Sequence, residues 1–424
     1  MRRLLLIILL FLFILQCSKA PLPEQSEHIR ILNEVLEQSE YIRVLDEVPL
    51  QIRELESVTV FDGKAEPEYF IELISEQTYG ETGEPYLTEI SESVVDNQGR
   101  IIISDANRFS SKLPFMFTVY VYNADGSYRT QIGNKGRGPG EYGMVLGLQA
   151  KAEKVFVLDY TNLRFNIYNT EDYSFEQQTL IEDFRDNEST QDLDFGYFEA
   201  RSDGNIIMIF YNLGSGTGRL ENTYLLMDIY GNVLNFKPLS FPYVLKIPVN
   251  ATSPRPSGPL LFMGKTITTL SKEDKLYSVW NRDFLIKKFD AKGIYQSAIY
   301  YPIQGSPFDL NEYTKTAGPF SPQVHQIERA FNDMNEELPE TFPVIDKLLV
   351  DDENRIWVAV PMGVQSENHE WWILEESGEL LAKLVHPKDQ PIYDIKNGYL
   401  YSKAINQETG TEYVVKYRIE FTEK

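Results

Sequence analysis

The stretch Val95-Asp96-Asn97-Gln98-Gly99-Arg100-Ile101 leads from a tight polar turn directly into a short apolar strand. A closely similar stretch, Val350-Asp351-Asp352-Glu353-Asn354-Arg355-Ile356, stands near the other end of the chain. Gly99 and Asn354 occupy the same place in the two stretches, and these residue types best tolerate a left-handed backbone. The match therefore predicts two copies of one supersecondary unit.

The same junction of turn and strand recurs six times. The strands that follow the six turns are Ile101-Ile102-Ile103, Val155-Phe156-Val157, Ile206-Ile207-Met208, Leu276-Tyr277-Ser278, Ile356-Trp357-Val358 and Tyr399-Leu400-Tyr401. A repeat of roughly blade length, with insertions, is typical of radially arranged β-sheets. Later turns such as Asp125-Gly126 and Ser377-Gly378 indicate a hairpin between a third and a fourth strand. We therefore expect an all-β protein, a six-bladed β-propeller of four-stranded antiparallel blades, over residues 65–424.

Ring closure follows from a strand without a blade of its own. Tyr69-Phe70-Ile71-Glu72-Leu73-Ile74 precedes the first junction and resembles Tyr128-Arg129-Thr130-Gln131-Ile132, an expected outermost strand. We expect it to complete the last blade, whose other strands come from the region between Ile392 and Phe421. Closure of this kind hides edge strands that would otherwise recruit other chains.

Composition favours a β protein and argues against some partners and cross-links. The chain of 424 residues has 26 Tyr and 24 Phe, which suit the half-buried surfaces of sheets. Its formal net charge of −23 argues against a nucleic-acid partner, because such a protein must place clustered Lys and Arg along phosphates. Cys17 is the only Cys, so the body can form no internal disulfide.

The first 17 residues are predicted to be a signal peptide. Arg2 and Arg3 precede an apolar run from Leu4 to Leu15, which is short for a membrane span. Ile14-Leu15-Gln16-Cys17 resembles a bacterial lipobox, in which Cys17 becomes the site of lipid attachment. Two alternatives remain open, namely cleavage after Ser18-Lys19-Ala20 to give a soluble secreted protein, and an uncleaved anchor.

Residues 18–64 are charged and carry a short internal repeat. Glu24–Val35 is matched by Glu37–Val48, and a weaker copy covers Gln51–Val58. Ile29, Leu32 and Leu36 fall on one face at helical spacing, which favours short amphipathic helices. We expect a tether that lifts the propeller off a membrane, with a partner-binding segment as the alternative.

One helical insertion is expected at about residues 321–338. Ser321-Pro322 precedes apolar residues at helical spacing, which are Val324, Ile327, Phe331, Met334 and Leu338. The apolar face requires a partner. The insertion is expected to pack on the propeller rim, and the alternative is a lid over a binding site.

The most distinctive short motif is Gly136-Arg137-Gly138-Pro139-Gly140-Glu141-Tyr142. Its glycines and proline suit a rigid loop with converging backbone N–H groups, across which Arg137 and Glu141 could pair or present a small polar site. A structural connector between blades is the simpler interpretation.

This motif and the six junctions resemble the six-bladed β-propeller family of bacterial envelope proteins, which is similar to NHL-repeat and TolB-like propellers. The resemblance covers the chain from about Tyr69 to Phe421. It implies an exported propeller or lipoprotein, and no catalytic set carries over from it.

Two further sets of residues are candidates for a site. Gluconolactonase-like propeller hydrolases hold a divalent cation in the central channel, and Asp105, Asp159 and Asp351 are candidate ligands for a cation such as Ca²⁺, although turn or strand-end roles are the simpler explanation. Otherwise no cofactor and no metal site is predicted, since the four His lie far apart. Trp371 and Trp372 would form a platform for sugar rings if exposed, and core if buried.

The sequence thus predicts a lipid-anchored propeller of the bacterial cell envelope, at a membrane facing the periplasm or the surface. It is expected to act as a binding or interaction module for an unknown protein, small molecule or glycan. Two alternatives are a metal-dependent lactone or ester hydrolase with its site in the channel, and a carbohydrate-sensing surface.

Overall fold

A computed structural model describes residues 29–31, 48–107, 116–185, 193–211, 218–246, 260–316 and 323–424. The predicted signal peptide, including Cys17, lies outside these residues, as does Ser321-Pro322 at the start of the predicted insertion.

Three strands precede the first complete blade: β1 (Ile29–Ile31), β2 (Val58–Val60) and β3 (Tyr69–Tyr79). Blade 1 contains β4 (Ile90–Val95), β5 (Ile101–Asn107), β6 (Met116–Tyr122) and β7 (Tyr128–Ile132). A small parallel pair, β8 (Asn134–Lys135) and β9 (Glu141–Tyr142), follows it. Blade 2 contains β10 (Val145–Lys151), β11 (Lys154–Asp159), β12 (Arg164–Asn169) and β13 (Phe175–Leu180). Blade 3 contains β14 (Asp194–Ala200), β15 (Ile206–Tyr211), β16 (Gly218–Met227) and β17 (Leu239–Lys246).

The second half of the chain has the same organisation. Blade 4 contains β18 (Thr266–Leu270), β19 (Leu276–Trp280), β20 (Leu285–Phe289) and β21 (Tyr295–Tyr300). Blade 5 contains β22 (Lys347–Val350), β23 (Ile356–Pro361), β24 (Asn368–Leu374) and β25 (Leu380–Pro387). Blade 6 contains β26 (Ile392–Lys396), β27 (Tyr399–Ile405), β28 (Glu412–Glu423) and β3. The helices are α1 (Leu50–Arg53), α2 (Ile181–Arg185), α3 (Leu310–Thr316) and α4 (Val324–Met334), with a 3-10 turn at Leu261–Met263.

This architecture confirms the predicted six-bladed propeller. Every predicted junction precedes the second strand of a blade, and β3 closes the ring as expected. It pairs antiparallel with β28, from Tyr69 opposite Glu423 to Tyr79 opposite Val414. The last blade is therefore built from the third strand of the described chain and its last three strands.

A braced turn explains why the junctions form. The Asp96 carboxylate accepts hydrogen bonds from the backbone N–H groups of Gln98 and Arg100. It also accepts one from Arg100 Nε, at 2.7 Å. Asp351 braces its turn in the same way through Arg355, whose Nε also lies 2.7 Å away. Gly99 and Asn354 have φ angles of 72° and 65°, as the sequence predicted.

The N-terminal segment differs from the predicted tether. Ile29–Ile31 is a strand and not a helix, and it pairs in parallel with β2, which in turn pairs in parallel with β21 of blade 4. Val48, Ile52 and Val58 pack with Ala298 and Tyr300 in one buried cluster. Residues from 48 onward therefore belong to the propeller body, because their apolar side chains find partners on blade 4.

The helical insertion packs on the outside of the propeller. In α4, Ile327, Ala330 and Phe331 are buried, and the Phe331 ring stacks on Phe262 at 6.3 Å between centroids. Leu338 differs from the prediction, since it is 38% exposed and lies beyond the end of α4. The insertion forms a rim decoration with its own core cluster, and its cluster partners are not residues of the axial cavity.

Candidate functional site: the central cavity

A cavity of about 620 Å³ lies on the propeller axis, lined by the first strands of all six blades. Its volume is within the usual range of small-molecule sites, which is about 300–1,000 Å³. Its charged lining consists of three acids and three lysines, namely Glu92, Glu199, Asp394, Lys151, Lys347 and Lys403. Lys403 forms an ion pair with Glu412 at 2.7 Å. The other five charged residues of the lining are not part of this ion pair.

Strand register explains how these side chains meet. Glu92, Tyr197 and Lys347 each pair with the fourth residue of the second strand in their own blade, which is Ser104, Ile209 and Ala359 respectively. Because six blades surround one axis, equivalent positions point toward a shared space. The cavity therefore brings together side chains that occupy equivalent strand positions but are distant in the sequence.

Polar side chains of the cavity also join neighbouring blades. Glu92 of blade 1 accepts the backbone N–H of Leu148 in blade 2. Gln149 of blade 2 accepts the N–H of Ala200 in blade 3 at 2.7 Å and donates to the Phe198 carbonyl at 2.9 Å. Asp394 of blade 6 accepts the N–H of Val95 at 3.0 Å. These bonds hold the first strands in register around the axis.

Two cavity groups keep unused hydrogen-bonding capacity. Within the described part of the chain, Glu199 accepts one long bond, of 3.4 Å from Gln149 Nε2, and Lys151 makes none. A carboxylate and an ammonium group together offer several acceptor and donor positions. Such groups, partly open to a cavity, are suited to a polar ligand.

Burial shifts the proton equilibria in the cavity. Desolvation raises the pKa of Glu92 to about 8, against the opposing effects of the Leu148 N–H and Lys347. Desolvation likewise lowers the pKa of Lys347 to about 8, and raises the pKa of Glu199 to about 7 although Lys151 and Gln149 oppose the shift. The pKa of Asp394 is also raised by burial. Glu92, Lys347 and Glu199 therefore exchange protons close to neutral pH.

Replacement of Glu199 by Gln tests this environment. The raised pKa means that the folded state keeps a proton that the unfolded chain releases near pH 4.5, so the wild type loses stability as pH rises from about 4.5 to about 7. We expect Glu199→Gln to gain unfolding free energy relative to wild type across that window, by at most about 1.4 kcal/mol per pH unit, with a constant difference outside it. Urea unfolding at a series of pH values measures the difference. Glu408→Gln, in a surface turn, is the control and should show a flat difference, and an equally flat curve for Glu199→Gln would contradict the assignment.

The predicted channel carboxylates do not converge. Asp105 and Asp159 lie near the far ends of the second strands β5 and β11, whereas Asp351 lies in the turn before β23, at the opposite end. Asp105 accepts the N–H groups of Thr88 and Glu89 at 2.8 and 2.7 Å, and Asp159 accepts that of Gly143 at 3.1 Å. The placement corrects the cation-site hypothesis, because all three carboxylates are committed to turns and strand ends and none lines the cavity.

The other side chains that could bind a metal are also dispersed. Among the residues described by the structure, no group of three or more His, Cys, Asp or Glu could hold a metal ion. The channel hydrolase alternative required three converging carboxylates, and the three that were predicted for it lie apart.

The Gly136–Glu141 loop is fixed by hydrogen bonds from Arg164, a residue that the sequence did not indicate. Arg164 donates to the carbonyls of Arg137, Gly138 and Glu141 at 2.9, 3.0 and 2.7 Å. Glu141 accepts the Gly138 N–H at 2.7 Å. Carbonyl groups, and not N–H groups as predicted, converge in this loop. The loop therefore acts as a connector that is fixed to blade 2.

Trp371 and Trp372 are buried, with exposed fractions of 2% and 4%. The Trp372 ring packs near Phe284 and Tyr301, at centroid distances of 5.4 and 5.3 Å. The platform hypothesis is therefore wrong for these residues, because both faces of blade 5 are covered by neighbouring blades.

The cavity residues carried a weak signal in the sequence. Glu92 and Lys347 are the single charged residues of β4 and β22, whereas Glu199 and Asp394 share β14 and β26 with Asp194 and Lys396. A charge in a buried strand is uncommon and is a reason to suspect a function. Their convergence could not be seen without the blade register.

Fold and cavity together define a six-bladed β-propeller with a polar axial cavity. A family model described as 6-bladed beta-propeller (DUF5128) matches residues 70–247. That range covers β3 and blades 1 to 3, in agreement with the architecture.

Several solved structures are similar to this chain. A Bacteroides fragilis protein described as exported has 12% identity and a TM-score of 0.49, covering 86% of this chain and 100% of its own. A DUF4221 family member from Bacteroides vulgatus has 12% identity, a TM-score of 0.49, and coverage of 84% and 100%. A Bacteroides thetaiotaomicron protein of unknown function has 9% identity, a TM-score of 0.41, and coverage of 83% and 76%. The comparison with curated proteins finds no match.

Every helix within the described ranges is too short or too polar to traverse a bilayer.

Proposed function

We propose that the protein is a binding module that takes up a small hydrophilic molecule in its central cavity. The observation that carries this proposal is the presence of Glu199 and Lys151, which face one cavity of about 620 Å³ with most of their hydrogen-bonding capacity unused. A ligand with both a donor and an acceptor group would satisfy both side chains, as an amino acid or a polyhydroxylated compound does.

The electrostatic setting supports a ligand of this kind. Charge-assisted hydrogen bonds in a partly desolvated site contribute about 1.5–3 kcal/mol each. The cavity presents both acids and lysines, so a zwitterionic ligand finds an opposite charge for each of its groups, and a neutral polyol finds both acceptors and donors.

Calorimetric titration of the protein with neutral amino acids and monosaccharides tests the proposal. We expect at least one compound to bind, and Lys151→Met and Glu199→Gln each to weaken that binding by about 10-fold or more. Tyr230→Ser is the control, because Tyr230 is 67% exposed on the surface, and it should bind like wild type. The proposal fails if no compound binds, or if both cavity variants bind as tightly as wild type.

The cell envelope is the proposed location. The basic and apolar leader, with Cys17 in a lipobox-like context, supports export and lipid attachment. The resemblance to NHL and TolB-like envelope propellers supports the same location. We propose that the lipid holds the propeller at a membrane that faces the periplasm or the cell surface, where its partners are a small solute, a glycan or another envelope protein and not nucleic acid.

A further inference from the structure

A second recess lies on blade 1, away from the axis. It is an open recess of about 540 Å³ and is lined by Glu84, Pro85, Tyr86, Tyr120 and Tyr128. Tyr120 and Tyr128 come from the neighbouring outer strands β6 and β7, and Tyr86 comes from the loop before β4. We refer to these five residues as the tyrosine bowl.

The rings of the tyrosine bowl are arranged as walls. Tyr120 and Tyr128 stand at 71° to each other with 6.3 Å between ring centroids. Tyr86 and Tyr128 are 57% and 44% exposed, which is high for large aromatic side chains. Tyr128 is fixed from behind by Tyr122, whose ring lies 5.9 Å away. Two walls meeting near a right angle can contact a compact group from two sides at once.

The chemistry of the tyrosine bowl favours a cation. The face of a tyrosine ring carries negative charge density and attracts an ammonium group within about 6 Å of its centroid. Glu84 adds a carboxylate, and the described lining residues include no Lys or Arg. The whole chain also carries a formal charge of −23, which raises the local concentration of cations.

We propose that the tyrosine bowl binds an alkylammonium group, with a quaternary ammonium such as choline as the best fit. A quaternary ammonium is roughly spherical and places methyl groups against each ring, while its charge is balanced by Glu84. A sugar ring is flat and stacks on one aromatic face, and it needs several hydrogen-bonding side chains around its rim. The bowl instead offers three tyrosine rings, two of them at 71° to each other, and one carboxylate, so its lining fits the cation better.

Titration with three probes tests the proposal, followed by calorimetry or by NMR shifts of the tyrosine rings. The probes are tetramethylammonium, choline and 3,3-dimethylbutan-1-ol, a neutral compound with the shape of choline. We expect both cations to bind and the neutral compound to bind at least about 5-fold more weakly, since cation–π attraction is lost. Equal binding of choline and the neutral compound would overturn the proposal, as would failure of both cations to bind.

Variants separate the ring faces from the hydroxyl groups. Tyr86→Leu and Tyr128→Leu should each weaken choline binding by about 5-fold, whereas Tyr128→Phe should change it less than about 2-fold. Both tyrosines are exposed, so the variants should fold, which far-UV circular dichroism checks. Glu84→Gln should weaken binding and reduce its dependence on salt. The cavity variant Glu199→Gln should leave choline binding unchanged. Unchanged binding in both Leu variants would refute the proposal.

A separate experiment with lipid vesicles identifies the source of the cation. Phosphatidylcholine vesicles that sediment with the wild type but not with Tyr128→Leu would identify a lipid headgroup as the source. Binding of free choline without vesicle binding would identify a soluble ammonium compound. Preferential binding of a proline-rich peptide, with no preference for cations, would overturn the proposal.

Discussion

A chain that begins at Gly80 is expected to lose cooperative folding and to aggregate. The truncation removes β3, which pairs with β28 from Tyr69 opposite Glu423 to Tyr79 opposite Val414. Tyr79 is fully buried, and Ile71 and Leu73 pack against the core between blades 5 and 6. Because Ile71 and Leu73 are only partly buried, burial of the three side chains contributes less than about 9 kcal/mol, which is still comparable with the whole stability of many proteins. Thermal unfolding and gel filtration measure the loss.

A matched truncation isolates the closing strand. A chain that begins at Val48 keeps β2 and β3 and should stay monomeric, with an unfolding midpoint within a few degrees of the full chain. The unpaired edge of β28 explains the expected aggregation, because its open N–H and C=O groups pair with other chains. A chain starting at Gly80 that unfolds cooperatively at the wild-type midpoint would show that β3 does not hold the ring closed.

Arg164→Met is expected to destabilise the protein by about 3–5 kcal/mol, because it removes a buried charge from its partners. Arg164 is 4% exposed and lies 3.3 Å from Asp159, 2.8 Å from Gln178 Oε1, and within bonding distance of three loop carbonyls. Met fills similar space but leaves Asp159 without its ion-pair partner and removes the guanidinium donors from the three loop carbonyls. Urea unfolding of the variant, followed by tryptophan fluorescence, gives the change in free energy.

Two further variants show what the guanidinium contributes. Arg164→Lys keeps the charge but cannot reach several acceptors at once, so we expect an intermediate loss. Arg137→Ala removes the exposed arginine of the loop and should change stability by less than about 0.5 kcal/mol. Equal stability of Arg164→Met and wild type would mean that the loop is held by other contacts.

Much of the fold could be predicted because its signals are local. The turn at Asp96-Asn97-Gln98-Gly99 is stabilised by hydrogen bonds from Gln98 and Arg100 to the Asp96 side chain. Its conformation therefore depends on consecutive residues. The same holds for Asp351 and Arg355. Closure of the ring by β3 could also be predicted from the sequence, because Tyr69–Ile74 has the pattern of an outer strand but follows no blade of its own.

The misjudged elements depend on distant partners. Ile29 has the spacing of a helix face, yet Ile29–Ile31 pairs as a strand with β2. Trp371 and Trp372 carry no sign in the sequence of whether neighbouring blades cover them. The Gly136–Glu141 loop is organised by Arg164, which lies in another strand, so its carbonyl groups turn inward.

The sequence alone determined the blade number, the turns and the way the ring closes, because each depends on residues that are close together or on a repeated pattern. Tertiary structure alone decided which charges meet. Glu92, Glu199, Lys347 and Asp394 come from four blades and share one cavity only because the first strands surround a common axis. The tyrosine bowl likewise depends on the placement of Tyr86, from the loop before β4, beside Tyr120 and Tyr128 of β6 and β7. Binding chemistry here arises from the arrangement of the blades in space, which no local pattern of residues encodes.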